Sequence, residues 1–70
     1  MKVGEIWNKI REPIVYVEIK SIWWDSELND NRIDYLIITG KFKGEGRAGV
    51  SRLSFLSAYE LKSNLVSSIY

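Results

Sequence analysis

The densest run of potentially reactive side chains is Asp25, Glu27, Asp30 and Asp34, four carboxylates within ten residues. Such a run raises two possibilities, an acid–base pair and a calcium loop. A calcium hand takes oxygen ligands at alternate positions, glycine at the sixth and glutamate at the twelfth. Counted from Asp25, the sixth residue is Asp30 and the twelfth Leu36, so the template fails. The run reads instead as a solvated turn. Histidine and cysteine are both absent, which excludes disulfides, the usual zinc and haem ligand sets, and nucleophilic systems of the Ser-His-Asp or Cys-His kind. The glycines of Gly44 to Gly49 are not followed by the Gly-Lys-Ser/Thr of a phosphate loop. No catalytic residue, cofactor or metal is therefore expected, and the chain reads as a non-enzyme.

Charge is segregated rather than abundant. Ten basic residues face nine acidic ones, for a formal net charge of +1. Yet Asp25 to Asp34 carries a net −3, while Lys41 to Arg52 carries a net +3 from Lys41, Lys43, Arg47 and Arg52 against Glu45. Read on a strand, Lys41 and Lys43 point to one side, opposite Phe42. With Arg47 at a hairpin tip they would form a positive edge that touches phosphates without reading bases. The ordinary alternative is that these cations keep the domain soluble and guard a sheet edge. Trp23 and Trp24 are adjacent, so in a strand they face opposite ways. One would enter the core, while Trp24 on the outer side with Tyr16 could stack a base or anchor a protein. The candidate contact residues are thus Lys41, Lys43, Arg47, Arg52, Trp24 and Tyr16.

The elements that must position them are mostly strands. Seventy residues make a single small domain. Ile14 to Trp24 is a long β-branched and aromatic run, in which Val15, Val17, Ile19, Ser21 and Trp23 share the better core face. Ile33 to Lys43 has the same character, with Leu36, Ile38, Gly40 and Phe42 on the side expected inside. Glu5 to Asn8 and Val50 to Leu53 read as short strands, and Gly44 to Gly49 as a hairpin loop. Val15, Val17, Ile19, Leu36, Ile38 and Phe55 are the expected core.

Two readings of the C-terminal segment stand side by side. Ser57-Ala58-Tyr59-Glu60 matches a helix capping box, with Leu61, Leu65 and Ile69 following at helical spacing. Alternatively, a turn at Ser54 to Ala58 precedes a closing strand, Tyr59 to Lys62, and a tail.

Val3-Gly4-Glu5-Ile6-Trp7, together with Ser51-Arg52-Leu53-Ser54-Phe55-Leu56-Ser57-Ala58-Tyr59-Glu60-Leu61, resembles the small SH3-like barrel proteins encoded in tailed-phage genomes. The resemblance implies a five-stranded barrel, a closing strand and an accessory role. Gly40-Lys41-Phe42-Lys43-Gly44-Glu45-Gly46-Arg47-Ala48-Gly49-Val50 is similar to the KOW motif, whose hairpin contacts RNA or protein. Here the loop is longer and lies later in the chain.

The expected fold is mainly β, a small five-stranded SH3-like barrel over residues 1–62 with a tail at 63–70; the alternative is α+β, an antiparallel sheet with a C-terminal helix. The expected function is a non-catalytic binding module making weak, sequence-independent contacts with nucleic acid or nucleoprotein. Its rivals are a module that modulates a host protein and a structural homodimer joined through Leu65, Val66, Ile69 and Tyr70. No apolar run approaches the ~20 residues of a membrane span, and Met1 to Glu12 lacks a signal-peptide core. A bacterial host cytoplasm is the expected location.

Overall fold

The computed structural model describes residues 1–63. Over these residues the protein is mainly β: five antiparallel strands in one sheet and one short helix. The strands are β1 (Ile6–Lys9), β2 (Tyr16–Asp25), β3 (Asp30–Ile37), β4 (Gly46–Ser51) and β5 (Tyr59–Ser63), with α1 (Arg52–Ala58) between β4 and β5. The sheet order is β4-β3-β2-β1-β5, so the chain meanders through four strands and the fifth returns beside the first. β4 and β5 are the two edges, and the sheet is not closed. No helix among the described residues is long and apolar enough to cross a membrane.

The core occupies one face. Trp7, Val17, Ile19, Ile33, Tyr35, Ile37, Phe55 and Tyr59 form it, with Val15, Ile22, Val50 and Ala58 packed at its margin. Phe55, fully buried on α1, is its centre. Its ring stacks on Tyr59 at 4.7 Å between centroids and meets the edge of Trp7 at 5.2 Å. α1 starts where Ser51 accepts a hydrogen bond from the Ser54 amide, six residues before the expected capping box. Ser57 instead donates back to the Ser54 carbonyl. The chain returns to extended geometry at Tyr59, which corrects the capping-box reading and matches the closing-strand alternative. Leu65, Val66, Ile69 and Tyr70, the expected dimer contacts, lie outside the described residues.

Several sequence expectations require correction, and β-bulges account for part of them. In β2, Lys20 is the extra residue: Ile19 pairs with Tyr35, but Ser21 pairs with Asp34. A bulge reverses the inside–outside phase of everything beyond it. Val17 and Ile19 therefore face the core as expected, whereas Ser21 and Trp23 turn outward and Ile22 turns in, opposite Ile33. A second bulge opposes Ala48 and Gly49 of β4 to Asp34 of β3, with Gly49 at φ +71°. That left-handed conformation is one a glycine adopts without strain.

In β3 the expected interior face is inverted. Ile33, Tyr35 and Ile37 are buried, while Leu36 and Ile38 are only half-buried and belong to the other side. Both faces of this strand are apolar, so alternation does not discriminate between them. Gly40 and Phe42, which tipped the reading toward Leu36, belong to a turn beyond the strand. β3 ends at Ile37, and the Gly44 amide donates to the Ile37 carbonyl at 2.8 Å. The hairpin turn is thus residues 38–45, and Gly46 to Gly49, expected as loop, lie in β4.

Candidate functional site

A concave recess of about 360 Å³ opens on the core side of the sheet, at the end where β3 runs into its turn. Its floor is the buried Tyr35, Ile37 and Tyr59, and around it stand Lys9, Glu12, Lys41, Phe42 and Arg47. Each side chain arrives by strand geometry. Tyr35 and Arg47 are register partners on β3 and β4, and Lys9 and Tyr59 are register partners on β1 and β5, so each pair projects to one face. Lys41 and Phe42 come from the β3–β4 turn. On the far wall, Thr39 fixes the start of β2: its hydroxyl donates to the Ile14 carbonyl at 2.7 Å and accepts from the Tyr16 amide at 2.8 Å.

The two floor hydroxyls lie 3.2 Å apart. Burial, reinforced by the Tyr59 hydroxyl, raises the Tyr35 phenol well above its ordinary value, and the nearby Arg47 and Lys9 charges do not offset this. The Tyr35 hydroxyl is therefore a neutral hydrogen-bond donor and acceptor at physiological pH. The cations at the rim are only loosely engaged. Lys9 lies 3.3 Å from Glu12, Arg47 lies 3.1 Å from Glu45, and both pairs are solvent-exposed. Exposed pairs of this kind contribute about 0–1 kcal/mol, so a ligand anion can replace the carboxylates at little cost. Lys41 sits 5.8 Å from the centre of the Phe42 ring. The arrangement can bind an oxyanion, with cations above and hydroxyls below.

The six residues singled out in the sequence do not come together. Lys41 and Arg47 reach the recess. Lys43 lies in the same turn, exposed but not part of the lining; it and Lys41 are not on a strand as expected. Arg52 is the first residue of α1 and pairs with Asp30 at 3.0 Å. Asp30 begins β3 while Tyr35, in the recess, lies five residues on, which puts Arg52 about 17 Å away at 3.3 Å per residue. Trp24, 59% exposed, is at that distant end opposite Asn31. Tyr16 is on the other face of the sheet, opposite Asn8, with the Lys62 ammonium 5.9 Å from its ring centre.

Of the acidic run, expected as a solvated turn, only Glu27 lies in the β2–β3 turn: Asp25 ends β2, and Asp30 and Asp34 belong to β3. Asp25 accepts from the Glu27 and Leu28 amides and pairs with Arg32 at 2.6 Å, and Asp30 holds Arg52. Asp34 accepts from the Ser21 hydroxyl at 2.5 Å, the Gly49 amide at 2.8 Å and the Trp23 indole at 3.2 Å, tying both bulges to one carboxylate. These contacts hold all three carboxyls below their usual value, with Arg32, Arg52 and Ser21 respectively the largest influences.

Lys9, Tyr35 and Tyr59 escaped notice in the sequence. A usable signal was present for the tyrosines: both occur in segments with a buried face, and a buried phenol needs a polar partner. Compared with protein-family models, with curated proteins and with solved structures, the chain matches none of them.

Proposed function

We propose that the protein is a non-catalytic binding module of the SH3-like kind, which takes phosphate groups of nucleic acid into the recess without reading base sequence. The observation that carries this reading is the convergence of Lys9, Lys41 and Arg47 over the tyrosine floor. Three cations at one concavity attract a polyanion, and contacts of this type position a strand without specifying its sequence. A second depression of about 280 Å³, lined by Lys9, Ile10, Arg11, Ser57 and Ala58, shares Lys9 with the first. Arg11 would meet an adjacent phosphate there. Phe42, 51% exposed beside Lys41, supplies the flat surface sought at Trp24 or Tyr16.

The strand order, with α1 leading into a fifth strand beside the first, supports the SH3-like assignment and agrees with the resemblance to phage accessory proteins. In that setting the module works in a bacterial host cytoplasm on nucleic acid or nucleoprotein. Recognition of a host protein is the second reading, favoured by the exposure of Trp23, Trp24 and Leu28 around the β2–β3 turn.

The test is charge reversal at the rim. Lys41→Glu with Arg47→Glu should weaken binding to a single-stranded oligonucleotide at low salt by at least about tenfold, with thermal stability nearly unchanged. Undiminished binding by the double variant contradicts the reading.

A further inference from the structure

We propose that the recess holds the terminal phosphate monoester of a nucleic-acid strand, with the Tyr35–Tyr59 hydroxyl pair donating to one phosphate oxygen. This deepens the phosphate-binding reading above and rests on it.

Charge is the first argument. Lys9, Lys41 and Arg47 line the recess, and the carboxylates paired with them, Glu12 on Lys9 and Glu45 on Arg47, are solvent-exposed and displaceable. An internal phosphodiester carries one negative charge, whereas a phosphate monoester carries about −1.5 to −2 at neutral pH and three terminal oxygens. A dianion competes with those exposed carboxylates for the cations better than a monoanion does.

The hydroxyl pair is the second. Two phenols share one hydrogen bond, which uses one of their two protons. The other proton is left for an acceptor in the recess, and both rings are nearly buried, so the donor is held in place. Shape is the third argument. An internal phosphate reaches the floor of a recess only if the strand bends away on both sides, whereas an end enters with one flank. At the rim, Phe42 beside Lys41 is placed to stack on the terminal base.

The experiment compares three otherwise identical single-stranded oligonucleotides with an internal fluorophore: one 5′-phosphorylated, one 3′-phosphorylated and one with hydroxyls at both ends. Anisotropy titrations should show one phosphorylated strand bound about tenfold more tightly than the unphosphorylated strand, the gain expected of a charge-assisted hydrogen bond. Which end is preferred gives the polarity of the bound strand. In Tyr35→Phe combined with Tyr59→Phe, checked for folding by thermal melting, that preference should shrink toward unity. Equal affinity for all three strands overturns the terminal-phosphate proposal and leaves the broader reading standing. Failure of all three to bind overturns both. Should the double variant not fold, the wild-type comparison decides the matter alone.

Discussion

The hydroxyls of Tyr35 and Tyr59 meet at 3.2 Å although their strands, β3 and β5, are separated in the sheet by β2 and β1. Three inter-strand steps span about 14 Å in a flat sheet. The contact therefore records how far the open sheet curls, with Phe55 filling the space beneath: its ring lies 5.4 Å from Tyr35 and 4.7 Å from Tyr59. One hydrogen bond thus belongs both to the fold, which it bridges, and to the recess, whose floor it forms.

Removal of either hydroxyl should cost about 1 kcal/mol, the usual net value of such a bond, because the remaining phenol loses its partner. Tyr35→Phe combined with Tyr59→Phe should cost less than the two single losses together. A double-mutant cycle in urea reads this coupling directly, and additive losses would mean that the bond contributes nothing to stability.

Phe55→Ala should be far more damaging, by about 3–5 kcal/mol, since it empties the centre of the core. Small domains have only about 5–15 kcal/mol in total, and this one is at the low end by size. Circular dichroism at room temperature should show a largely unfolded chain.

Tyr35 should titrate abnormally. Absorbance near 295 nm on raising the pH should show a tyrosine that ionises only well above the ordinary phenol range. Its folded value lies above the unfolded one, so its contribution to stability is complete below about pH 10 and is lost as the pH rises further. Four tyrosines ionising together in the folded protein would contradict the buried hydroxyl pair.

At the acid end, Asp25, Asp30 and Asp34 have folded values below the ordinary 3.8. Their stabilising contribution is present above the unfolded value and disappears as the pH falls through the folded one. The urea midpoint should accordingly be nearly level from about pH 7 to 5 and fall below about pH 4. Asp34→Asn should reduce that fall, because its carboxylate serves Ser21, Trp23 and Gly49 at once.

Most strand segments were legible because β-branched runs and turn residues mark them locally; β5 was only half so, since its residues fit a helix after a capping box as well as a closing strand. The inside face of β3 was not, since Ile33, Tyr35 and Ile37 compete with an equally apolar Leu36 and Ile38. Nor was the reversal after Ile19: a bulge at Lys20 depends on what Asp34 binds across the sheet, which no local pattern contains. The site was half legible. Lys41 and Arg47 stood out as charge, whereas Lys9 and Tyr59 meet them only through the pairing of β1 with β5. Arg52 looked equally available until Asp30, twenty-two residues earlier in the chain, took it up.

The central claim, that three cations at one recess bind nucleic-acid phosphates, is tested most directly by the salt dependence of binding. Anisotropy titrations of the unmodified chain against single-stranded DNA between ~50 and ~200 mM salt should give a log–log slope near −2, from about 0.7 per phosphate neutralised by Lys9, Lys41 and Arg47. Affinity should then fall about fifteenfold across that range. A slope near zero, or no binding at ~50 mM salt where such contacts are strongest, would contradict the account.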